Sequence, residues 1–448
     1  MAGAAFTLVA CGGSEVSESD DVSFEPGDGS ETASAPTTEA VVEIDPPATT
    51  PETDAPATDA VIAGDADGVL RVPSEYGAIQ EAVDAAVPGD LVLVAPGVYH
   101  EAVDVVTDEI VIRGIEREGV VLDGRFELDN GIRVLGARGV AVENLTTQNY
   151  SGNGVFFISA DGYRVSYVTA YRPGDYGIYA FDSINGRIEH SYGAGSPDAG
   201  LYIGQCYPCN AVVDDVVAEY NGVGFFGTNA GGNLAVVNST FRFNRVGIVP
   251  NSGSCELCCP QRESTIVGNT VHANNNPNAP AIDLARQAMG NGVVVAGGIG
   301  NVVERNLIYD HDKTGIAVVP FFEEGANDDM PTRDEWTRTC DEQRAQPLAE
   351  EIPERLVWES YDNTIRANSV ADSRVADIGV EAVSEPIAGL GNCFEANDIT
   401  TSAPAEIETL APCGAVATPV DDPAWSVEPL DVSTWLAEAD SAPPAVDY

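Results

Sequence analysis

The stretch that decides the fold runs from Gly154 to Gly204 and reads GVFFISADGYRVSYVTAYRPGDYGIYAFDSINGRIEHSYGAGSPDAGLYIG. Within it a glycine opens a short apolar segment three times, at intervals of 23 residues. The pattern continues downstream, with one longer gap of 45 residues from 247 to 292, at four further glycines: Gly224, Gly247, Gly292 and Gly315. A fixed period of this size, with short strands and Asn/Gly turns, predicts a β-solenoid whose rungs stack about 4.8 Å apart.

Breaks in the repeat predict loops. The long gap fits one rung with two loop insertions, the second at 274–291, and a further insertion is expected at 321–359. Residues 361–380 have the pattern of a last rung. We therefore expect one solenoid domain at 65–420, followed by an irregular tail at 421–448.

A helix is expected before the first rung. Ile79, Ala82, Val83 and Ala86 form an apolar stripe at helical spacing, and Ser74 is the expected N-cap. Such a helix would cover the first rung, whose open strand edge would otherwise pair with another chain.

The cap helix, the run PGDLVLVAPGVYHE at 88–101 and the 23-residue coils resemble right-handed parallel β-helix proteins of the pectate-lyase-like superfamily. The resemblance covers residues 69–400 and is closest in type to uncharacterised bacterial envelope β-helix lipoproteins. It implies an all-β, right-handed parallel β-helix with an N-terminal capping helix. Members of the superfamily are mostly polysaccharide lyases, glycoside hydrolases, esterases or epimerases, and some are not enzymes. Gly97, Tyr99 and Glu101 match a methylesterase pattern, but the later esterase motifs are absent, so we interpret these three as structural.

The charge balance excludes one class of partner. The chain has 21 Lys and Arg against 71 Asp and Glu, a net charge of −50, and Lys313 is its single lysine. Nucleic-acid binding needs clustered basic residues and is therefore excluded. Anionic lipid surfaces and polyanionic polysaccharides are disfavoured unless cations bridge them. An adaptation of solubility to salt explains the acidity equally well.

The N-terminus predicts an exported, lipid-anchored protein. Residues 8–11, Leu-Val-Ala-Cys, resemble the lipobox of bacterial lipoproteins, which implies lipidation of Cys11 after a truncated signal at 1–11. The segment departs from that pattern because no basic residue precedes Cys11. Residues 12–64 contain 13 Asp and Glu but no Lys, Arg or His, and should form a disordered tether. The expected location is extracytoplasmic, membrane-anchored or secreted.

A charged column is the candidate for catalysis. Four residues stand two positions before an anchor glycine and should stack along one turn: Asp175, Asp198, Arg245 and Lys313. The two aspartates belong to adjacent rungs, so their carboxylates should approach within about 5 Å. Such a pair can share a proton, bind Ca²⁺ or act as a retaining glycosidase pair. The resemblance implies that Lys313 or Arg245 would be the base of a lyase; a solvated acidic turn is the alternative.

Substrate-binding candidates flank this column. Arg172 and His311 lie in neighbouring turns, and the insertion at 274–291 enters the same turn with Asp283 and Arg286. Loops that overhang a solenoid commonly form one wall of a binding cleft. We therefore expect this insertion to border any groove over the carboxylates.

The cysteines should build up the opposite turn. Besides Cys11 the chain has eight: Cys206, Cys209, Cys255, Cys258, Cys259, Cys340, Cys393 and Cys413. Disulfides are favoured, because an exported chain meets oxidising conditions and eight is an even number, with Cys393 and Cys413 as one natural pair. A Zn²⁺ site of Cys206, Cys209, Cys255 and Cys258 is one alternative, and a thiol redox pair is another.

Three functions remain open from the sequence. The first is an envelope protein that binds polysaccharide and cleaves or modifies it as a lyase, hydrolase or epimerase. The second is a non-catalytic surface module that binds a glycan or an envelope protein through loops held by disulfides. The third is a metal-handling envelope protein, for which the chain offers no Met/His-rich tract.

Overall fold

The computed structural model describes residues 68–414, except residues 254, 327, 348, 350, 351 and 385. The described residues belong to one compact unit. The expected signal at 1–11 with Cys11, the tether at 12–64 and the tail at 421–448 lie outside them.

Three long parallel sheets form the walls of a coil, and successive rungs add strands to each sheet in the same order. Within the described residues, sheet 1 has twelve strands: Val69–Val72, Leu91–Val94, Val111–Gly114, Ala141–Glu143, Arg164–Ser166, Arg187–Glu189, Ala211–Asp214, Gly231–Val237, Arg262–Val267, Val302–Glu304, Thr364–Arg366 and Cys393–Glu395. Over the same range sheet 2 has ten: Gly97–Tyr99, Val120–Asp123, Thr146–Gln148, Thr169–Tyr171, Tyr192–Ala194, Val217–Glu219, Thr240–Arg242, Thr270–His272, Leu307–His311 and Ser369–Ser373. Sheet 3, again counted in the described chain, has eleven: Val103–Val105, Ile132–Leu135, Val155–Ile158, Ile178–Phe181, Ala199–Gly204, Val223–Thr228, Val246–Asn251, Val293–Ala296, Thr314–Val319, Ala376–Val380 and Ser402–Ala403.

The sharp turn between sheets 1 and 2 is made by a residue with positive φ. Five consecutive rungs place such a residue in one column: Asn144 (φ 56°), Tyr167 (φ 55°), His190 (φ 48°), Asp215 (φ 51°) and Asn238 (φ 50°). This left-handed conformation is disfavoured for most side chains, and Asn and Asp tolerate it best among non-glycine residues. The left-handed conformation therefore accounts for Asn and Asp at this position of the repeat, but it does not account for Tyr167 and His190.

Inside the coil, asparagine side chains satisfy the backbone of the later turns. Asn269, Asn306 and Asn368 each accept a hydrogen bond from the backbone N–H of the residue one rung earlier, at 3.0–3.1 Å. The ladder ends at Asn397, whose backbone N–H donates to the Glu408 carboxylate at 2.7 Å. Because buried backbone groups need partners, this ladder stabilises turns that no strand pairing reaches.

Short helices cover both ends of the coil. The N-terminal helix is Ile79–Ala85 and buries Ile79, Ala82 and Val83 against the first rungs. The prediction of Ser74 as its N-cap is wrong: the first two helical N–H groups donate to the Glu101 carboxylate, both at 3.1 Å. Glu101 therefore has the structural role expected for it, since a carboxylate from the next rung satisfies the free amides at the helix start.

The remaining elements lie in the connections. The loop from sheet 2 to sheet 3 after His272 contains the helix Asp283–Gln287, and the C-terminal cap is the helix Ile407–Leu410. The connection after Val319 contains four elements: the antiparallel strands Phe321–Glu324 and Arg355–Trp358, the 3₁₀ helix Arg333–Glu335 and the helix Cys340–Arg344. A second 3₁₀ helix is Ile387–Gly389. Among the described helices, none has the length and hydropathy needed to cross a bilayer.

Candidate functional site

The eight cysteines of the described region form four disulfides: Cys206–Cys209, Cys255–Cys259, Cys258–Cys340 and Cys393–Cys413. The prediction of disulfides, and of the pair Cys393–Cys413, is confirmed. The alternative four-sulfur Zn²⁺ site is not formed, because its four cysteines are all bonded to other sulfurs. Within residues 68–414, leaving aside the six undescribed positions, no cluster of three or more His, Cys, Asp or Glu has metal-binding geometry.

Two of these disulfides, Cys255–Cys259 and Cys258–Cys340, lie in one wall beside sheet 3. Cys258–Cys340 ties the loop after Asn251 to the helix Cys340–Arg344, which comes from a connection much later in the chain. That helix reaches back to Asp182, whose carboxylate accepts from the Arg344 guanidinium at 2.7 Å. Asp182 follows a strand that lies five places before Thr314–Val319 in sheet 3, a distance of about 24 Å along the coil.

A buried arginine holds this wall together. Arg262 is 2% exposed, its guanidinium stacks on the Tyr207 ring at 3.6 Å, and burial lowers its pKa to about 10. It donates to the carbonyls of Pro260 at 2.8 Å and Arg338 at 2.6 Å. One side chain therefore connects three loops that are distant in sequence.

The insertion between sheets 2 and 3 forms the other wall. Arg245 holds it, donating from Nε to the Ala279 carbonyl at 2.8 Å and from Nη2 to the Pro277 carbonyl at 2.7 Å. The Ile282 N–H donates to the Pro197 carbonyl at 3.0 Å, which places the loop directly over the rung of Asp198. Asp283 and Arg286 pair with each other at 3.9 Å on the outer side of this loop.

The floor between the walls is a row of aromatic rings on the outer face of sheet 3. The strand register places four of them on successive rungs: Phe156, Tyr179, Tyr202 and Phe226. Their ring centroids are 5.1, 4.6 and 5.7 Å apart in that order. Phe156 and Tyr179 are half-buried, whereas Tyr202 and Phe226 are buried beneath the insertions. The row therefore opens toward the N-terminal end of the coil.

The predicted carboxylate pair lies at the edge of this floor. Asp198 is 1% exposed, and Asp175, one rung earlier, is half-buried. Burial raises the pKa of Asp198 to about 8, opposed by a hydrogen bond from Tyr176 and increased by the charge of Asp175. Burial, together with the charge of Asp129, raises the pKa of Asp175 to about 6. Asp198 Oδ1 has no hydrogen-bond partner among the described residues.

A third carboxyl group was not found from the sequence. Glu256 lies on the loop closed by Cys255–Cys259, is half-buried, and burial raises its pKa. Its charge contributes to the raised pKa of Tyr179, after burial and the charge of Tyr202. The tyrosines were also missed, although the third position of GIYAF and GLYIG repeats an aromatic residue at the 23-residue period.

The structure does not bring the predicted basic residues to the carboxylates. Arg245 lies two rungs from Asp198 and Lys313 lies four rungs away, about 10 and 19 Å along the coil. Arg245 is also directed to the carbonyls of the insertion. Arg172 has its guanidinium over the Phe126 ring at 5.4 Å, beside the turn of Asp175.

His311 lies inside the coil rather than on the groove. It is 1% exposed, and its Nε2 is 3.4 Å from the Asn274 side chain. Burial, with a smaller effect of His272, lowers its pKa to about 3, so it is neutral at ordinary pH. Strand alternation alone would place His311 on the face opposite Ile308, but the left-handed residue Asp310 interrupts the alternation, and His311 points inward as Ile308 does.

A family model described as "Right handed beta helix region" matches the chain at residues 125–258 and 153–321. This chain is a right-handed parallel β-helix protein. The right-handed parallel β-helix fold predicted from its 23-residue coils is confirmed. No curated protein matches the β-helix chain by sequence.

Solved structures similar to this β-helix protein include the A-module of the Azotobacter vinelandii mannuronan C-5 epimerase AlgE4. It is 15% identical with a TM-score of 0.48, and the match covers 71% of this chain and 90% of that one. The alginate lyase of Paenibacillus sp. str. FPU-7 is 15% identical with a TM-score of 0.40, and the match covers 68% of this chain and 95% of that one. A tailspike of E. coli bacteriophage HK620, solved with a pentasaccharide, is 12% identical with a TM-score of 0.45. That match covers 71% of this chain and 57% of the tailspike chain.

Proposed function

We propose that this protein binds a neutral polysaccharide along the outer face of sheet 3 and hydrolyses it with Asp175 and Asp198. The observation that carries the proposal is the carboxyl pair placed at the edge of the aromatic row, between two loop walls. Aromatic surface with a few convergent polar groups is the usual lining of a binding site.

The shape of the floor suits a linear polymer. Four aromatic rings follow the coil axis at about the spacing of the rungs, and a chain lying along the axis would contact the two half-buried ones, Phe156 and Tyr179. Large aromatic rings provide most of the contact energy where they are partly exposed, as Phe156 and Tyr179 are. The buried end of the row, at Phe226, limits the groove to one open direction.

The charges beside the floor favour a neutral chain. Asp175, Asp198 and Glu256 would each repel a uronate when ionised. The arginine in register with Phe156 is Arg133, and its guanidinium is paired with Asp104 at 2.7 Å. A polyanion would therefore meet carboxylates and a neutralised arginine.

The pair has the chemistry of glycoside hydrolysis. With pKa values of about 6 and 8, Asp175 is ionised and Asp198 is protonated between those pH values. Asp198 would give its proton to the departing glycosidic oxygen while the Asp175 carboxylate bonds to the anomeric carbon and the glycosidic bond breaks. Water would then cleave the resulting glycosyl ester and return a proton to Asp198, which restores both carboxyl groups. A separation of one rung agrees with the roughly 5 Å of retaining enzymes. The lyase alternative is disfavoured because Lys313 lies about 19 Å away.

One observation favours a second function, binding without cleavage. Asp198 is 1% exposed beneath the insertion held by Arg245, so its carboxyl group contacts a polymer only if that loop is displaced. If the loop stays closed, the aromatic row and Asp175 would form a binding surface alone.

The test is incubation with neutral and uronate polysaccharides, followed by binding measurements and product analysis. Hydrolysis predicts reducing ends from a neutral polymer, with greatest activity between about pH 6 and 8, and a loss of 10²-fold or more in Asp175→Asn and Asp198→Asn. Asp310→Asn is the control, because Asp310 is exposed in the equivalent turn four rungs on. Binding without product, unchanged in Asp198→Asn, would establish the second function; no binding would overturn both.

We further propose an extracytoplasmic location, with anchoring through Cys11. Four disulfides support it, since the cytosol keeps most thiols reduced. Expression of the full chain with labelled fatty acid should give a labelled membrane-bound protein and an unlabelled Cys11→Ser variant. An unlabelled wild-type chain would contradict the anchor.

A further inference from the structure

A second groove lies on the outer face of sheet 2, a different wall of the coil from the aromatic floor on sheet 3. Its volume is about 830 Å³, which is within the roughly 300–1,000 Å³ common for small-ligand sites. Five residues in strand register form its floor: Val121, Thr146, Thr169, Tyr192 and Val217. Four rung steps give a length of about 19 Å, comparable to a short oligosaccharide.

One wall of this groove is a fixed loop. Residues 115–119 join sheets 1 and 2 with five residues, where the following rungs use two. Arg117 lies across three rungs: its carbonyl accepts from Thr146 Oγ1 at 2.9 Å, its Nε donates to Thr169 Oγ1 at 2.9 Å, and its Nη1 donates to the His190 carbonyl at 3.3 Å. The groove is therefore preformed, and a ligand would not have to order this wall.

The same turn column continues along the coil as a stack of Tyr167, His190 and Asp215, which also lines the groove. The rings of Tyr167 and His190 stack at 4.7 Å, and His190 Nδ1 is 2.8 Å from Asp215 Oδ2. All three residues have positive φ, in the column where the rungs before and after carry Asn144 and Asn238. Asparagine would make these turns with less strain than Tyr or His, so the turn itself does not account for either ring.

Three polar groups of the walls remain available to a ligand. In the part of the chain that the structure describes, no hydrogen bond to a protein group is made by the Tyr167 hydroxyl, His190 Nε2 or the Glu118 carboxylate. Tyr167 is 49% exposed and Glu118 is exposed. A donor–acceptor hydroxyl, an imidazole nitrogen and a carboxylate around an aromatic surface match the hydroxyl groups and apolar face of a sugar. Glu118 and Asp215 outweigh Arg117, which disfavours an anion.

We propose that the sheet 2 groove is a second carbohydrate-binding site, which takes a short neutral oligosaccharide on the outer face of sheet 2, against Arg117 and the Tyr167–His190–Asp215 stack. The site is independent of the one on sheet 3, because the two share no residue and face different walls of the coil. Two sites on one chain would let the protein hold a polysaccharide network at two points and gain avidity.

The test uses substitutions that the fold already accepts. Tyr167→Asn and His190→Asn introduce the residue that Asn144 and Asn238 supply in the same column, so the folded state should keep or gain stability. Tyr220→Asn is the matched control: Tyr220 also has positive φ (59°), is 41% exposed and stacks on Phe243, but lies outside the groove. Tyr179→Ala removes part of the sheet 3 floor and reports on that site separately.

Binding is measured by calorimetric titration with tetrasaccharides of β-glucan, α-glucan, mannan and chitin, with tetragalacturonate as the anionic comparison. We expect at least one neutral tetrasaccharide to bind, with a loss of 10-fold or more in affinity in the Tyr167→Asn/His190→Asn double variant and no change in Tyr220→Asn. That loss should persist in the Tyr179→Ala background, which separates it from failure of the sheet 3 proposal. Wild-type affinity in the double variant, or no neutral tetrasaccharide bound by the wild type, would overturn the proposal.

Discussion

At neutral pH, burial keeps the Asp198 carboxyl group protonated, whereas a free aspartate side chain is ionised. Sequence periodicity predicts its position beside Asp175, because the repeat alone sets which residues stack. Its protonation could not be predicted, since it depends on burial under a loop that enters the site about eighty residues later. The raised pKa, about 8 against an ordinary 3.8, arises mainly from that burial.

This protonation predicts how stability depends on pH. Between about pH 4 and 8 the folded chain keeps the Asp198 proton and the unfolded chain releases it, so the stability of the wild type should fall as pH rises through that window. Asparagine does not titrate, and Asp198→Asn should therefore gain relative stability by about 1.4 kcal/mol per pH unit across it. Urea unfolding at pH 4, 6 and 8 measures the difference, and a constant difference would contradict the assignment.

At the scale of one strand, Gly204 decides where the Tyr202 ring lies. A Cβ at Gly204 would be 1.9 Å from the Tyr202 hydroxyl oxygen and 2.2 Å from its Cζ, so the ring occupies the space left by the glycine. The ring is 4% exposed and its centroid is 4.6 Å from that of Tyr179. The glycine at the end of GLYIG therefore has a packing role in the aromatic floor.

Gly204→Ala should displace the Tyr202 ring and destabilise the protein by about 1–3 kcal/mol, as overpacking usually does. The same displacement should weaken polysaccharide binding on sheet 3. Gly227→Ala is the control in the next strand, because its added Cβ would come no closer than 3.3 Å to any atom. Thermal unfolding and a binding titration of both variants measure the effect; equal behaviour of the two would show that the ring adjusts freely.

For the whole molecule, the coil behaves as a stack of rungs that contact mainly their neighbours, so the two ends need covers. In the Asn ladder, each backbone N–H donates to the asparagine side chain of the next rung, and the last N–H, that of Asn397, donates to Glu408. The Glu408 carboxylate accepts from both the backbone N–H and the side-chain amide of Asn397, at 2.7 and 2.8 Å. One carboxylate therefore closes a ladder that spans the C-terminal rungs.

Glu408→Ala should loosen that end without unfolding the rest, because stability in a solenoid is a sum over neighbouring rungs. The two unpaired donors of Asn397 should cost about 1–3 kcal/mol locally. Hydrogen exchange should therefore quicken at 393–403 and stay unchanged at 164–181, with Thr409→Ala, exposed on the same helix, as control. Uniformly faster exchange along the chain would indicate that the coil unfolds as one unit.

The sequence by itself determined the parallel β-helix, its period and the residues that stack in each column, because these follow from a repeat in which every rung contacts the next. It also indicated disulfides and the pair Cys393–Cys413. Only the tertiary structure decided the pairing of Cys258 with Cys340, the capping of the first helix by Glu101 and the return of the late insertion to Asp182. The tertiary structure also separated Lys313 from the carboxylates and exposed a second groove on sheet 2. These features depend on contacts between residues far apart in the chain, which no local period encodes.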